Sequence, residues 1–169
     1  AKPLTSMALA FVFLASLSYF YFDLEKVTSG LSALPEDEPM RVGFEILNDK
    51  YGFGLDAPAN VVIDADVSSP EISKAINLLE QQMIDDDSFL EPEVQIEPTV
   101  NFAELTSLIP GDPQNQPALL AIDRLRNIII PSAFEGIPTS NYEIYVGGIS
   151  AEVVDSVKMT DDYFPIVLA

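Results

Sequence analysis

The sequence predicts an α+β protein: a ferredoxin-like (split βαβ) domain behind an N-terminal transmembrane helix. Three observations predict it. Residues 3–22, PLTSMALAFVFLASLSYFYF, contain no charged side chain. From residue 59 the hydrophobic period switches in the order strand, helix, strand, strand, helix, strand, which is the split βαβ order. Each helical segment in that order carries one apolar stripe, and each strand alternates apolar with polar.

The elements follow in chain order. A helix over the uncharged run is about 30 Å long and matches the hydrocarbon core of a bilayer. Tyr19, Tyr21 and the neighbouring phenylalanines crowd one end, where an aromatic belt sits. A signal peptide would have a shorter apolar region and a small-residue cleavage site; here aromatic and acidic residues follow. A buried core helix would show a polar face. Residues 1–22 are therefore read as a membrane helix, and Lys2 places the N-terminus inside. Residues 23–58 are read as a membrane-proximal linker and helix. Met40, Phe44, Leu47 and Tyr51 share one helical face, with Glu36, Asp37 and Glu38 at its positive end and Gly52 placed to stop it.

Residues 59–147 form the predicted mixed domain. In ANVVIDADV (59–67), Val61, Ile63 and Ala65 alternate with Val62, Asp64 and Asp66. SSPE (68–71) reads as a capping box between Ser68 and Glu71, with Pro70 in the first turn. Ile72, Ile76, Leu79 and Met83 then make a stripe that predicts a helix over 70–84, ended by DDDS (85–88). EVQIEPTV (93–100) alternates, and Pro98 points to an edge or a bulge. NFAELTSLI (101–109) reads as its hairpin partner, with Ala103, Leu105, Ser107 and Ile109 on one side. PGDPQNQP (110–117) is a turn. Ala118, Ile122, Leu125 and Ile129 predict a second helix over 116–130, with Asp123, Arg124 and Arg126 off its buried face and Pro131 ending it. YEIYV (142–146) is the last strand. Residues 148–169 are read as a connecting helix and the start of a second transmembrane helix in FPIVLA. The chain is thus expected to be a fragment of something longer.

Composition excludes several function classes. With 27 acidic and 8 basic residues, the net charge is −19 over 169 residues. Nucleic-acid phosphates and anionic headgroups require a basic surface, so no nucleic acid is expected as a partner. There is no cysteine and no histidine, which removes disulfides, thiolate metal sites, the commonest general base and the usual catalytic triad. The acid excess fits a salty habitat or simply a solvated surface. Mean hydropathy is nevertheless +0.22, because the apolar residues are concentrated at the start.

Few motifs point to chemistry. Asp85, Asp86 and Asp87 lack the alternate spacing and glycine turn of a calcium loop; they read as a solvated helix end. Asp64 and Asp66 share one strand face but stand without another catalytic group. GFG (52–54) and VGG (146–148) are too short for a phosphate loop, although VGG suits a tight bend between the last strand and the next helix. No catalytic, cofactor-binding or metal residue is assigned, and an enzyme is not expected.

Several stretches taken together resemble a known family. SALPEDEPMRVGFEILNDKYG (32–52), GDPQNQPALLAIDRLRN (111–127) and YVGGISAEVVD (145–155), standing in this order between apolar segments, resemble the MMPL-type transporters of the RND (resistance-nodulation-division) superfamily. The resemblance covers nearly the whole chain. It implies an extracytoplasmic porter loop between two membrane helices at the inner (plasma) membrane. It implies proton-driven export of hydrophobic or lipid-like molecules, with a second homologous loop of the same transporter and the lipid bilayer as partners. The family's proton relay lies in later membrane helices outside this sequence, so no relay residue is assigned. The sheet face opposite the helices, with Val62, Asp64, Asp66, Glu93, Gln95 and Glu97, is expected to meet the second loop. Two rival readings are a membrane-anchored extracellular sensor and a protein-translocation accessory of the same superfamily.

Overall fold

The computed structural model describes residues 3–19, 34–51 and 57–168. It is a mixed α+β structure built on a four-stranded antiparallel sheet. The elements are α1 (Pro3–Tyr19), α2 (Pro39–Tyr51), β1 (Pro58–Ala65), α3 (Pro70–Ile84), β2 (Glu93–Glu97), β3 (Phe102–Leu108), α4 (Gln116–Arg124), α5 (Ile130–Ala133), β4 (Tyr142–Gly147) and α6 (Ile149–Leu168). A π turn, Leu125–Ile129, joins α4 to α5.

The sheet order is β2-β3-β1-β4. Every neighbouring pair is antiparallel, with Val61 opposite both Leu105 and Val146, and Val94 opposite Leu105. Alternation decides which side is buried. Ala59, Val61, Ile63 and Ala65 point into the core from β1, and Ala103, Leu105 and Ser107 from β3. The helical stripes meet them: Ile72, Ile76, Leu79 and Met83 from α3, and Ala118, Ile122, Leu125 and Ile129 from α4 and the π turn, are all buried. The span expected for α3 and both core stripes therefore hold. Fully burying one such side chain contributes about 1.5–3 kcal/mol, so these two helices fasten the sheet from one side.

Local details differ from the sequence reading. The Ser68–Glu71 capping box does not form. Ser69 is the N-cap of α3 and makes no side-chain cap bond, because Asp66 takes over the turn: its Oδ1 accepts from the Ser68 N–H at 3.1 Å, and its carbonyl accepts from the Ser69 N–H at 2.9 Å. Glu71 then stands one residue too early for the box. Pro98 ends β2, which is an edge strand, and opens a single 3₁₀ turn, Pro98–Val100. Asn101 closes that turn at φ 54°, a left-handed conformation that Asn tolerates.

Pro131 does not end the second helix. The helix continues through α5 to Ala133. Proline lacks an N–H, and its ring meets the carbonyl four residues back. Widening of the preceding turn to i→i+5 bonding, with the Ile130 N–H on the Leu125 carbonyl, lets the chain pass the proline without breaking.

The outer helices behave differently from the core pair. In α2, Met40 and Leu47 of the expected stripe are exposed and Phe44 is half-buried, so this face is not part of the core. The stop expected at Gly52 lies outside the described residues. Helix α1 has 17 residues and is apolar all round, with Leu9, Phe11 and Phe13 exposed. Among the described residues no helix is long and apolar enough to cross a membrane. The expected span ran on to Phe22, and residues 20–22 lie outside the described residues. Residues 149–168, expected as a connecting helix and the start of another span, form one continuous helix.

Candidate functional site: the open face of the sheet

The side of the sheet turned away from α3 and α4 is the most unusual surface of the domain. Register brings Asn60, Val62 and Asp64 of β1 alongside Thr106, Glu104 and Phe102 of β3. The same β1 residues lie alongside Gly147, Tyr145 and Glu143 of β4. Glu93, Gln95 and Glu97 of β2 extend the same face. Among the described residues, all the strand carboxylates, Asp64, Glu93, Glu97, Glu104 and Glu143, lie here, and no strand contains Lys or Arg. Val62 and Phe102 are half-buried between them, and the Tyr145 ring is 58% exposed.

Asp64 and Glu143 are directly opposite each other, a like-charge pairing that costs stability in a sheet. The Tyr145 hydroxyl donates to Glu143 Oε2 at 2.5 Å. That bond, and after it the charges of Glu143 and Asp64, raise the Tyr145 pKa above the usual phenol value. The tyrosine therefore stays protonated and serves as a donor. Of the residues expected on this face, Asp66 is absent. It follows the strand and is committed to the turn before α3, so Asp64 and Asp66 are not a carboxylate pair.

The three aspartates after α3 separate in role. Asp85 and Asp87 are exposed, as a solvated helix end predicts. Asp86 is held by Arg124, whose Nη2 lies 3.0 Å from each carboxylate oxygen and whose Nε lies 3.2 Å from Oδ2. Burial pushes the Asp86 pKa up, but the Ser88 N–H and hydroxyl and the Arg124 guanidinium outweigh it, so the carboxyl lies below its usual range. Among the described residues no three acidic side chains gather as a metal would require. Arg124 also donates to Ser88 Oγ at 2.7 Å, tying the α3–β2 loop to α4. Beside it runs a shallow groove of about 470 Å³ lined by Gln82, Asp86, Arg124, Ile128 and Ser132.

Arg126 spans a second junction. Its Nη1 lies 2.5 Å from Asp155 Oδ1, and its Nη2 lies 3.0 Å from Asp155 Oδ2 and 2.7 Å from the Val146 carbonyl. The guanidinium holds the Asp155 carboxyl below its usual range. The helical period places both arginines off the buried face and does not name their partners. The available signal was their scarcity: in a chain with 8 basic and 27 acidic residues, a cation beside the core has many carboxylates competing for it. VGG (146–148) is a structural corner, as expected, and GFG (52–54) lies outside the described residues.

Searches with family models and against curated proteins match nothing to this chain.

Proposed function

We propose that the chain is the extracytoplasmic porter-domain portion of a proton-driven RND/MMPL-type transporter that exports hydrophobic or lipid-like molecules across the plasma membrane. In this reading residues 59–147 are a ferredoxin-like domain. The sheet order β2-β3-β1-β4 with both helices packed on one side supports it. The observation that carries the reading is the pair of flanking helices. Helix α1 exposes apolar side chains all round, a surface that marks contact with membrane or protein. Helix α6 leaves the sheet directly, with exposed side chains from Lys158 to Phe164.

The open sheet face is the proposed contact with the second homologous loop. Its mixed surface, with Val62, Phe102 and Tyr145 lying among carboxylates, suits a wet interface that opens and closes. A face with the same acidic charge would be repelled, so the partner loop is expected to bring basic groups to it.

Two experiments test the proposal. The full chain should float with liposomes, and residues 23–162 alone should remain in solution; a full chain that stays monomeric without detergent and does not float would refute the membrane reading. In the intact transporter, cysteines at Asp64 or Gln95 should crosslink to the other loop and stop export. Normal export by crosslinked protein would reduce the face to a passive surface.

A further inference from the structure

The junction between β4 and α6 consists of a single residue. Gly147 ends the strand, Ile149 begins the helix, and Gly148 alone lies between them. Two consecutive glycines suggest a hinge, but the corner is closely packed. Gly148 has φ +109°, and a Cβ there would stand 2.1 Å from the Pro58 carbonyl oxygen. The corner is pressed onto the start of β1, and glycine is required for that close approach.

Three further contacts fasten the helix once it has turned. The Gly148 carbonyl accepts the Glu152 N–H at 3.0 Å and opens the first turn. The buried Ser150 donates from Oγ to the Pro113 carbonyl at 2.6 Å, pinning that turn to the loop before α4. Arg126 then straddles the corner, with Asp155 in the second turn of α6 on one side and the Val146 carbonyl of β4 on the other. A planar guanidinium that grips a carboxylate at two points fixes direction as well as distance. Arg126 is delivered from the π turn, so the widened segment that admits Pro131 also supplies the clamp. Past the clamp, Lys158 to Phe164 are all exposed, and this part of α6 takes its direction from the anchors behind it.

We propose that Arg126 is the positioning residue of a rigid joint that makes α6 and the sheet a single lever. Displacement at the far end of α6 is then carried into β4 and β1, the strands that bear Asp64, Glu143 and Tyr145, instead of being absorbed by bending at the glycines. The joint stands on its own contacts, and it gives the open face a mechanical connection to the helix that leaves the domain, whatever that helix enters.

The absence of cysteine permits a direct test on the full chain in detergent. Spin labels at Gln95 and Met159 report the sheet-to-α6 distance, and labels at Gln95 and Glu143 report the sheet itself. The parent chain should give a narrow Gln95–Met159 distribution. Arg126→Gln should widen it about two-fold, as expected when a two-point clamp is lost. Asp155→Asn, at a carboxylate that lies outside the core, should widen it less because the Val146 bond remains. The sheet distance should stay narrow in both variants. A broad distribution in the parent chain overturns the rigid joint, and an unchanged one in both variants overturns the role of Arg126. If the sheet distance broadens together with the helix distance, Arg126 is a folding residue and the proposal also fails. These outcomes are independent of liposome flotation and of export.

Discussion

Removing Arg124 tests whether the α3–β2 loop is held by one ion pair. Arg124→Gln deletes the guanidinium contacts to both Asp86 oxygens and to Ser88 Oγ. An interior hydrogen bond to a charged group contributes about 1.5–3 kcal/mol, whereas an exposed ion pair contributes about 0–1 kcal/mol. The Arg124 side chain is 39% exposed and Asp86 19%, so solvent screens part of the attraction and the pair falls between these limits. A coupling energy of about 1–1.5 kcal/mol is expected, with a loss of about 5 °C in Tm for the single variant. The assay is a double-mutant cycle of Arg124→Gln and Asp86→Asn by urea unfolding, followed by circular dichroism. Its pH dependence has a definite sign. The folded Asp86 pKa is lowered, so the contribution is fully present above the unfolded value of about 3.9 and disappears as pH falls through the folded value. A coupling near zero at neutral pH, or one that persists in acid below the folded value, would refute the reasoning.

Three other outcomes are expected. Ile76→Asp and Ile122→Asp should each unfold the domain, since both positions are fully buried and an unpaired interior charge costs several kcal/mol (roughly 3–5); parent-like melting curves would show that these faces are not core. Gly148→Ala should destabilise the chain by at least about 1–3 kcal/mol through left-handed strain and the clash with the Pro58 carbonyl, measured as a shifted urea midpoint with the slope unchanged. Glu143→Gln should bring the Tyr145 phenol back down towards its usual range, because the Glu143 bond is the first cause of its raised pKa. An absorbance titration reads this directly, and stability at pH 7 should rise slightly as the like-charge pairing with Asp64 is relieved.

Features that depend on neighbours along the chain were legible in the residue order. The stripe Ile72, Ile76, Leu79 and Met83 predicted α3 at its observed bounds, because a 3.6-residue period and a turn signal are local properties. The alternation around Val61 and Ile63 told which side of β1 is buried, and Gly148 announced a tight corner. Tertiary structure alone decided how those pieces use their polar groups. Asp86 and Arg124 are 38 residues apart, and Arg126 and Asp155 are 29 apart, so no periodicity connects them and only the packing of α4 against the α3–β2 loop and α6 brings them within bonding distance. The acidic face is likewise a matter of register. Asp64, Glu104 and Glu143 come from three strands, and a one-residue slip in any pair would have turned one of them to the other side. Helix α2 shows the opposite limit: its apolar stripe was legible, but Met40 and Leu47 remain exposed, because amphipathicity states that a face can be buried and says nothing of where its partner lies.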